Sequence, residues 1–243
     1  MVQTLSKYKY IQEVKTDPKV GEMLIINFNP YKVCSFNCIF CGIGPTTDKI
    51  YERKCFYPPE EVFSEVRDFI ENIKQPDCIW LTGLGEPSLY SGFSQLSNTI
   101  KNFYPNIKIG VSSNGSFLMF QEVREDFKIC DYIVINLNSV FSDEFIQISR
   151  PHRDIKLKEV IKGIISFRKG YSGIFGVVSI FVKGINDNLK SLQALNAIIM
   201  KILPNFFVVK NFACKGYKPI SDEFKDAISE AFKDFPNEII YKY

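Results

Sequence analysis

Apolar positions along the chain follow two rhythms. Continuous runs at Leu24 to Phe28, Cys78 to Leu81, Ile107 to Val111, Tyr132 to Leu137, Ile174 to Val182 and Phe206 to Val209 predict buried strands. Between them, apolar residues recur at helical spacing. Val62, Phe63, Val66, Phe69, Ile70 and Ile73 form one stripe after the helix-start pair Pro58-Pro59. Leu157, Val160, Ile161, Ile164 and Ile165 form a second, stopped near Gly170. Leu192, Leu195, Ile198, Ile199 and Ile202 form a third, with Asp187 as its expected cap. Ser221 is placed to cap a last helix, and Asp222 and Glu223 suit its first turn by complementing the helix dipole. Strands that are apolar throughout, alternating with amphipathic helices, imply an α/β fold in which helices cover a parallel sheet. The pattern is compatible with an open doubly wound sheet and with a barrel. No repeat, low-complexity tract or linker divides the chain, so a single domain is expected over residues 1–243, with 1–20 as a peripheral N-terminal extension.

With 46% hydrophobic residues in a length of 243, the chain can bury one sizeable core. Its 30 basic residues nearly balance 27 acidic ones, and a net charge of +3 gives no support for nucleic-acid binding. No run approaches membrane-span length, and the first ten residues hold no apolar signal segment. The seven cysteines are odd in number and only three cluster. That favours a reducing, cytoplasmic setting over a disulfide framework.

The clustered cysteines carry the chemistry. Cys34-Ser35-Phe36-Asn37-Cys38-Ile39-Phe40-Cys41 places three thiols in one short loop after the first predicted strand, with no fourth cysteine beside them. Three thiolates can hold three irons of a cubic [4Fe-4S] cluster and leave the fourth iron open to a small molecule. A structural zinc site is the alternative, but zinc prefers four ligands in spaced pairs, and His152, Cys55, Cys78, Cys130 and Cys214 offer no such pairing. A purely electron-carrying protein would normally close the fourth iron site.

Further motifs end the later strands. Thr82-Gly83-Leu84-Gly85-Glu86-Pro87 combines glycines that permit close backbone approach with a carboxylate. Ser112-Ser113-Asn114-Gly115 and Asn136-Leu137-Asn138-Ser139 follow, then Arg150-Pro151, where arginine can clamp a carboxylate. Val178 and Ile180 precede Val182-Lys183-Gly184-Ile185-Asn186-Asp187. His152, the only histidine, is read as structural.

The triplet, with aromatic Phe40 just before the third cysteine, resembles the signature of the radical S-adenosylmethionine (SAM) enzymes. Read with Gly85-Glu86-Pro87, Ser113-Asn114-Gly115, Arg150-Pro151-His152 and the segment from Val182 to Asp187, the chain resembles a group of archaeal and bacterial iron–sulfur oxidoreductases related to the tRNA wyosine-forming enzymes. The resemblance implies a partial (β/α)6 TIM-like barrel with the cluster at the C-terminal ends of the strands. It implies one [4Fe-4S] cluster on Cys34, Cys38 and Cys41, with SAM contacted by Phe40, Gly85, Glu86, Asn114, Asn138 and Arg150. Relatives often carry an aspartate at the position of Asn138, so a role needing that charge is not available here. The implied activity is reductive cleavage of SAM to a 5′-deoxyadenosyl radical that takes hydrogen from an unknown small-molecule or macromolecular substrate. The electron donor would be of ferredoxin or flavodoxin type. An activase that installs a glycyl radical on a partner protein is the alternative. Wyosine-type base modification is a weaker one, because no cysteine for a second cluster lies between Met1 and Val33. Cys214, on the segment after the last predicted strand and between Lys210 and Lys215, is a candidate hydrogen donor to a product radical.

Overall fold

The computed structural model describes residues 5 and 7–242. Strands β1 (Ile11–Asp17) and β2 (Gly21–Asn27) form an antiparallel hairpin at one edge of an eight-stranded sheet. The remaining strands run parallel to β2 in chain order: β5 (Cys78–Thr82), β6 (Lys108–Ser113), β7 (Tyr132–Asn136), β8 (Ile174–Phe181), β9 (Phe206–Asn211) and β10 (Glu238–Lys242). Two short strands, β3 (Val33–Cys34) and β4 (Asp48–Lys49), pair with each other outside this sheet. Helices α1 (Pro59–Asn72), α2 (Phe93–Phe103), α3 (Gln121–Phe127), α4 (Ser142–Ser149), α5 (Leu157–Lys169), α6 (Leu189–Ile202) and α7 (Asp222–Ala231) fill the crossovers, giving six βα units before β10.

Each predicted strand is present, and so are the four predicted helices. Pro59 opens α1, Gly170 closes α5, and the Ser221 hydroxyl accepts from Phe224 N at 3.2 Å to cap α7. The cap of α6 is Asn188 rather than Asp187: Asn188 Oδ1 accepts from Ser191 N at 3.0 Å, while Asp187 Oδ1 accepts from Gly184 N at 2.7 Å and closes the preceding turn. The described part of the 1–20 segment goes beyond a peripheral tail, since β1 pairs along β2 and both Tyr10 and Ile11 are buried.

The two faces of the sheet do different work. Leu24, Ile26, Ile79, Leu81, Ile109, Val111, Ile133, Ile135, Phe175, Val177, Phe207 and Val209 point outward into the helices and form one continuous core. Burial of each such side chain contributes about 1.5–3 kcal/mol before conformational entropy is set against it. The alternate residues face the concave side, where Met23, Ile25, Trp80, Tyr132, Val134, Val208 and Ile240 line a cavity of about 800 Å³. Trp80 lies flat across Gly110 of the next strand, where a β-carbon would sit 2.2 Å from the indole. The sheet curls far enough for β1 and β10 to border the same cavity, and a Lys19–Glu238 ion pair joins its two edges. Among the described residues, no helix is long and apolar enough to cross a membrane.

Candidate active site

The three clustered cysteines sit on a loop clamped from several sides at the C-terminal ends of the strands. Its two ends are joined where β3 pairs with β4, Val33 beside Asp48 and Cys34 beside Lys49. Thr46 closes it from within, its hydroxyl donating to Phe36 O at 2.6 Å and its amide to Asn37 Oδ1 at 2.9 Å. The segment leaving α4 forms a second support: Asn37 N donates to Ser149 O and Ile39 N to Ile148 O, both at 3.0 Å, and His152 N donates to Ser35 O at 2.8 Å. The turn after β5 is the third. Glu86 N donates to Val33 O at 3.0 Å, and the approach is so close that a β-carbon on Gly85 would lie 1.6 Å from that oxygen. Only glycine fits there, because the obstacle is backbone. Ile43, just beyond Cys41, reaches the cavity edge together with Gly83 and Leu84, so loop and cavity share one mouth.

Below the loop lies a buried polar network. Glu86 is 2% exposed, yet each of its oxygens is bonded: Oε1 accepts from Ser88 N (3.0 Å), Ser88 Oγ (2.7 Å) and Ser113 Oγ (2.6 Å), and Oε2 from Asn114 N (2.7 Å). Burial pushes its carboxyl above the usual range, while these donors pull it back. Four donors and no acceptor around it are the surroundings of a carboxylate. Asn114, so positioned, donates from Nδ2 to Ser35 Oγ at 2.9 Å and lies 3.7 Å from Cys34 Sγ. Of the two residues expected to contact SAM, Asn114 has its side chain on Ser35 of the cysteine loop, and Glu86 has its carboxylate on Ser88, Ser113 and the Asn114 amide.

The other expected contacts are distributed around the mouth. Phe40 packs with Ile180, Ile185 and Tyr217 against Ile39, Ile148, Val182 and Phe212. Asn138 is buried and accepts from Ile180 N at 2.9 Å through Oδ1. Arg150 is exposed, in left-handed backbone (φ 44°) at the end of α4, and borders a cavity of about 380 Å³ with Asn37, Cys38, Lys215 and Tyr217. Cys214 is exposed on the loop after β9, and its neighbour Lys215 donates to Cys41 O at 3.0 Å, which joins that loop to the cysteine loop. His152 stacks on Tyr51 with ring centroids 5.6 Å apart, and its Nδ1 lies 3.2 Å from Asp154 Oδ2.

Lys32 escaped the sequence reading. It is 2% exposed, and its ammonium donates to Cys41 Sγ at 2.9 Å and to Gly44 O. Its only signal is its place two residues before the first cysteine. A buried cation beside this sulfur would help set the potential of a cluster held there.

The family profile described as the Radical SAM superfamily matches residues 28–195. The chain belongs to the radical SAM superfamily. It is 32% identical over 187 residues to "GTPase Obg" of Brachyspira hyodysenteriae, covering 77% of this chain and 27% of that protein. It is 30% identical over 189 residues to "UPF0026 protein MJ1312" of Methanocaldococcus jannaschii, covering 77% and 58%. The chain therefore spans well under two thirds of the length of these relatives. In fold it is similar to a radical SAM methyltransferase from Sphaerobacter thermophilus, with a TM-score of 0.69, 14% identity, and coverage of 95% and 68%.

Radical SAM enzymes use a [4Fe-4S] cluster and SAM, and the thiols present here fit the cluster. All three are free. Burial, then the Glu86 charge, pushes the Cys34 thiol up to about 12. Burial, then the charges of Cys34 and Cys41, pushes Cys38 up as well. Metal ions reverse that balance, since ligating sulfurs give up their protons. Among the described residues, no three His, Cys, Asp or Glu side chains converge on the point where one ion would sit. In a cubic cluster each cysteine meets a different iron.

Proposed function

We propose that this chain is a radical SAM enzyme that cleaves SAM reductively at a cluster held by Cys34, Cys38 and Cys41 and acts on a small molecule bound in the concave cavity. One observation carries the reading: the three-thiol loop and the 800 Å³ cavity open at one mouth, with Ile43, Gly83 and Leu84 between them. When bound, the cofactors supply a 5′-deoxyadenosyl radical that abstracts hydrogen. The protein orients and shields. The Glu86–Ser113–Asn114 network and Gly85 fix the loop, Lys32 offsets negative charge beside Cys41, and the apolar cavity wall excludes water. SAM is held by backbone at Gly85 and Phe40, by Arg150, and by the Asn138 amide nitrogen, which has no partner among the described residues. One-electron reduction comes from a donor of ferredoxin or flavodoxin type.

The test is anaerobic reconstitution followed by strong reduction with SAM. The native protein turns brown and yields 5′-deoxyadenosine, and Cys38→Ala loses both; full cluster absorbance and cleavage in that variant would overturn the assignment. Cys214, on a loop joined to the cysteine loop, gives a hydrogen atom to the product radical, and the thiyl radical left on its sulfur regains the thiol by taking one electron from the same ferredoxin- or flavodoxin-type donor and a proton from water. Cys214→Ala then still cleaves SAM but stalls or diverts product, and an unchanged product distribution removes that role. A glycyl-radical activase would instead need an extended partner segment in the mouth, and a concave cavity of this volume with Trp80, Tyr132 and Phe206 in its wall favours a small molecule over it.

A further inference from the structure

Most charged groups around the large cavity are already paired. Glu13 and Lys15 lie 2.6 Å apart, Lys19 bonds Glu238, and Asp17 Oδ1 accepts from the amides of Lys19 and Val20. Two lysines differ. Lys210 near the end of β9 and Lys242 at the end of β10 are register neighbours in parallel strands, which puts their side chains on one face. That face is the concave one, since Lys242 lines the cavity directly and Phe206 and Val208, four and two residues before Lys210, line it too. Among the described residues neither has a carboxylate within ion-pair distance. Lys210 is half-buried, and burial and then the charge of Lys242 hold its pKa below the usual lysine value. Two like charges on neighbouring strands, one of them partly out of water, are unfavourable until an anion sits between them.

We propose that Lys210 and Lys242 bind the anionic group, a carboxylate or phosphate, of a small organic acid that is this enzyme's substrate. The inference rests on the radical SAM reading of the site. Strands lie about 4.8 Å apart, so two lysine side chains reach one anion together. They stand at the ends of β9 and β10, the end of the sheet that carries the cysteine loop, and the chain continues from β9 to Lys215 against Cys41. Trp80, Tyr132, Val134 and Ile240 in the same wall suit an apolar or aromatic body. A volume of about 800 Å³ matches a small-molecule pocket and far exceeds a single ion.

Trp80, the chain's only tryptophan, stands in that wall, so its emission reports occupancy. Titration of the cluster-loaded protein with inorganic phosphate and with phenyl phosphate is expected to change Trp80 emission saturably, with phenyl phosphate binding more tightly. The double variant Lys210→Gln/Lys242→Gln weakens phenyl phosphate at least about tenfold, from the loss of two charge-assisted contacts, and Lys210→Arg/Lys242→Arg largely restores it. A melting curve of each variant checks that it is folded. Failure of phenyl phosphate to saturate, or equal affinity in the native and Gln forms, overturns the proposal. SAM carries a carboxylate of its own, so SAM affinity is measured in parallel. A loss for SAM as large as that for phenyl phosphate assigns the lysines to the cosubstrate and also overturns it. Absence of 5′-deoxyadenosine from the native protein would instead sink the radical SAM reading, an outcome distinct from any result of the anion titration.

Discussion

At the C-terminal ends of β5 and β6, the side chains of Glu86, Ser88 and Ser113 are buried and bonded together, and Ser35 of the loop above them is buried against Ser116, whereas at the opposite ends of the same strands the charges lie nearer water as ion pairs. There Lys101 and Lys108 meet Asp131 at 2.6 and 3.4 Å, and Lys74 meets Glu22. Buried networks are costly when one member fails, because the remaining groups lose both partner and solvent. Partly exposed pairs contribute little and fail gently. The mouth therefore trades tolerance for a fixed position of the cysteine loop, and the floor does the reverse. Substitutions at the two ends separate these behaviours.

The largest effect is expected from Gly85→Ala. Its methyl group would stand 1.6 Å from Val33 O, so β3 or the β5 turn has to move. Overpacking against backbone costs about 3 kcal/mol, a fall in Tm of roughly 6–12 °C for a domain of this size. Because Val33 adjoins Cys34, iron retained after anaerobic reconstitution should fall as well. Full iron content at native Tm would show that the mouth is softer than its geometry indicates.

Glu86→Gln comes next. The amide nitrogen of glutamine cannot accept, so Ser113 Oγ, Asn114 N or a Ser88 donor is left without a partner, at a cost of about 1–3 kcal/mol. The informative readout is the cluster spectrum: Asn114, freed from Oε2, no longer holds Ser35, and cluster loss should run ahead of the loss of secondary structure. A drop in Tm with unaltered iron retention would make Glu86 a general stabiliser and remove its link to the loop.

These residues also mark where sequence ceased to inform. The six inner strands were legible because a parallel strand covered on one face by helices and facing an apolar cavity on the other reads as an unbroken apolar run. Strand β1, with Glu13, Lys15 and Asp17, and β10, with Glu238 and Lys242, lie at the two sheet edges, and charges interrupt their pattern. Strands β3 and β4, two residues each, have no period to read. The three-thiol loop was legible because Cys34, Cys38 and Cys41 are local in sequence. The direction of a side chain is set by tertiary contacts. Glu86 was legible as a carboxylate at the mouth, but its turn inward depends on Ser113 and Asn114, 27 and 28 residues away. Lys32 is buried by the fold of the loop over it, which no pattern in its neighbourhood records.

The smallest effect should come from the floor, at Asp131→Asn. Burial alone would raise this carboxyl, but the hydrogen bonds from Lys101 and Ile109 N and the charges of Lys101 and Lys108 more than offset it, leaving its pKa below the ordinary 3.8. A lowered carboxyl contributes stability that is complete above the unfolded-state pKa and disappears as pH falls through the folded one. Native protein should therefore exceed the variant by about 1 kcal/mol at neutral pH, for a charge pair with both partners about a quarter exposed. The gap stays constant down to about pH 5 and closes below about pH 4 as Asp131 takes up its proton. Ile109 N keeps an acceptor in the amide oxygen of asparagine, so the residual gap at low pH should be near zero. Urea melts of both proteins from pH 7 to pH 3 measure this directly. Iron content, unlike that of Gly85→Ala and Glu86→Gln, should match the native value throughout the neutral range. A gap that widened toward acid would reverse the sign of the linkage, and iron loss in Asp131→Asn would show that the floor and the mouth are coupled through β6.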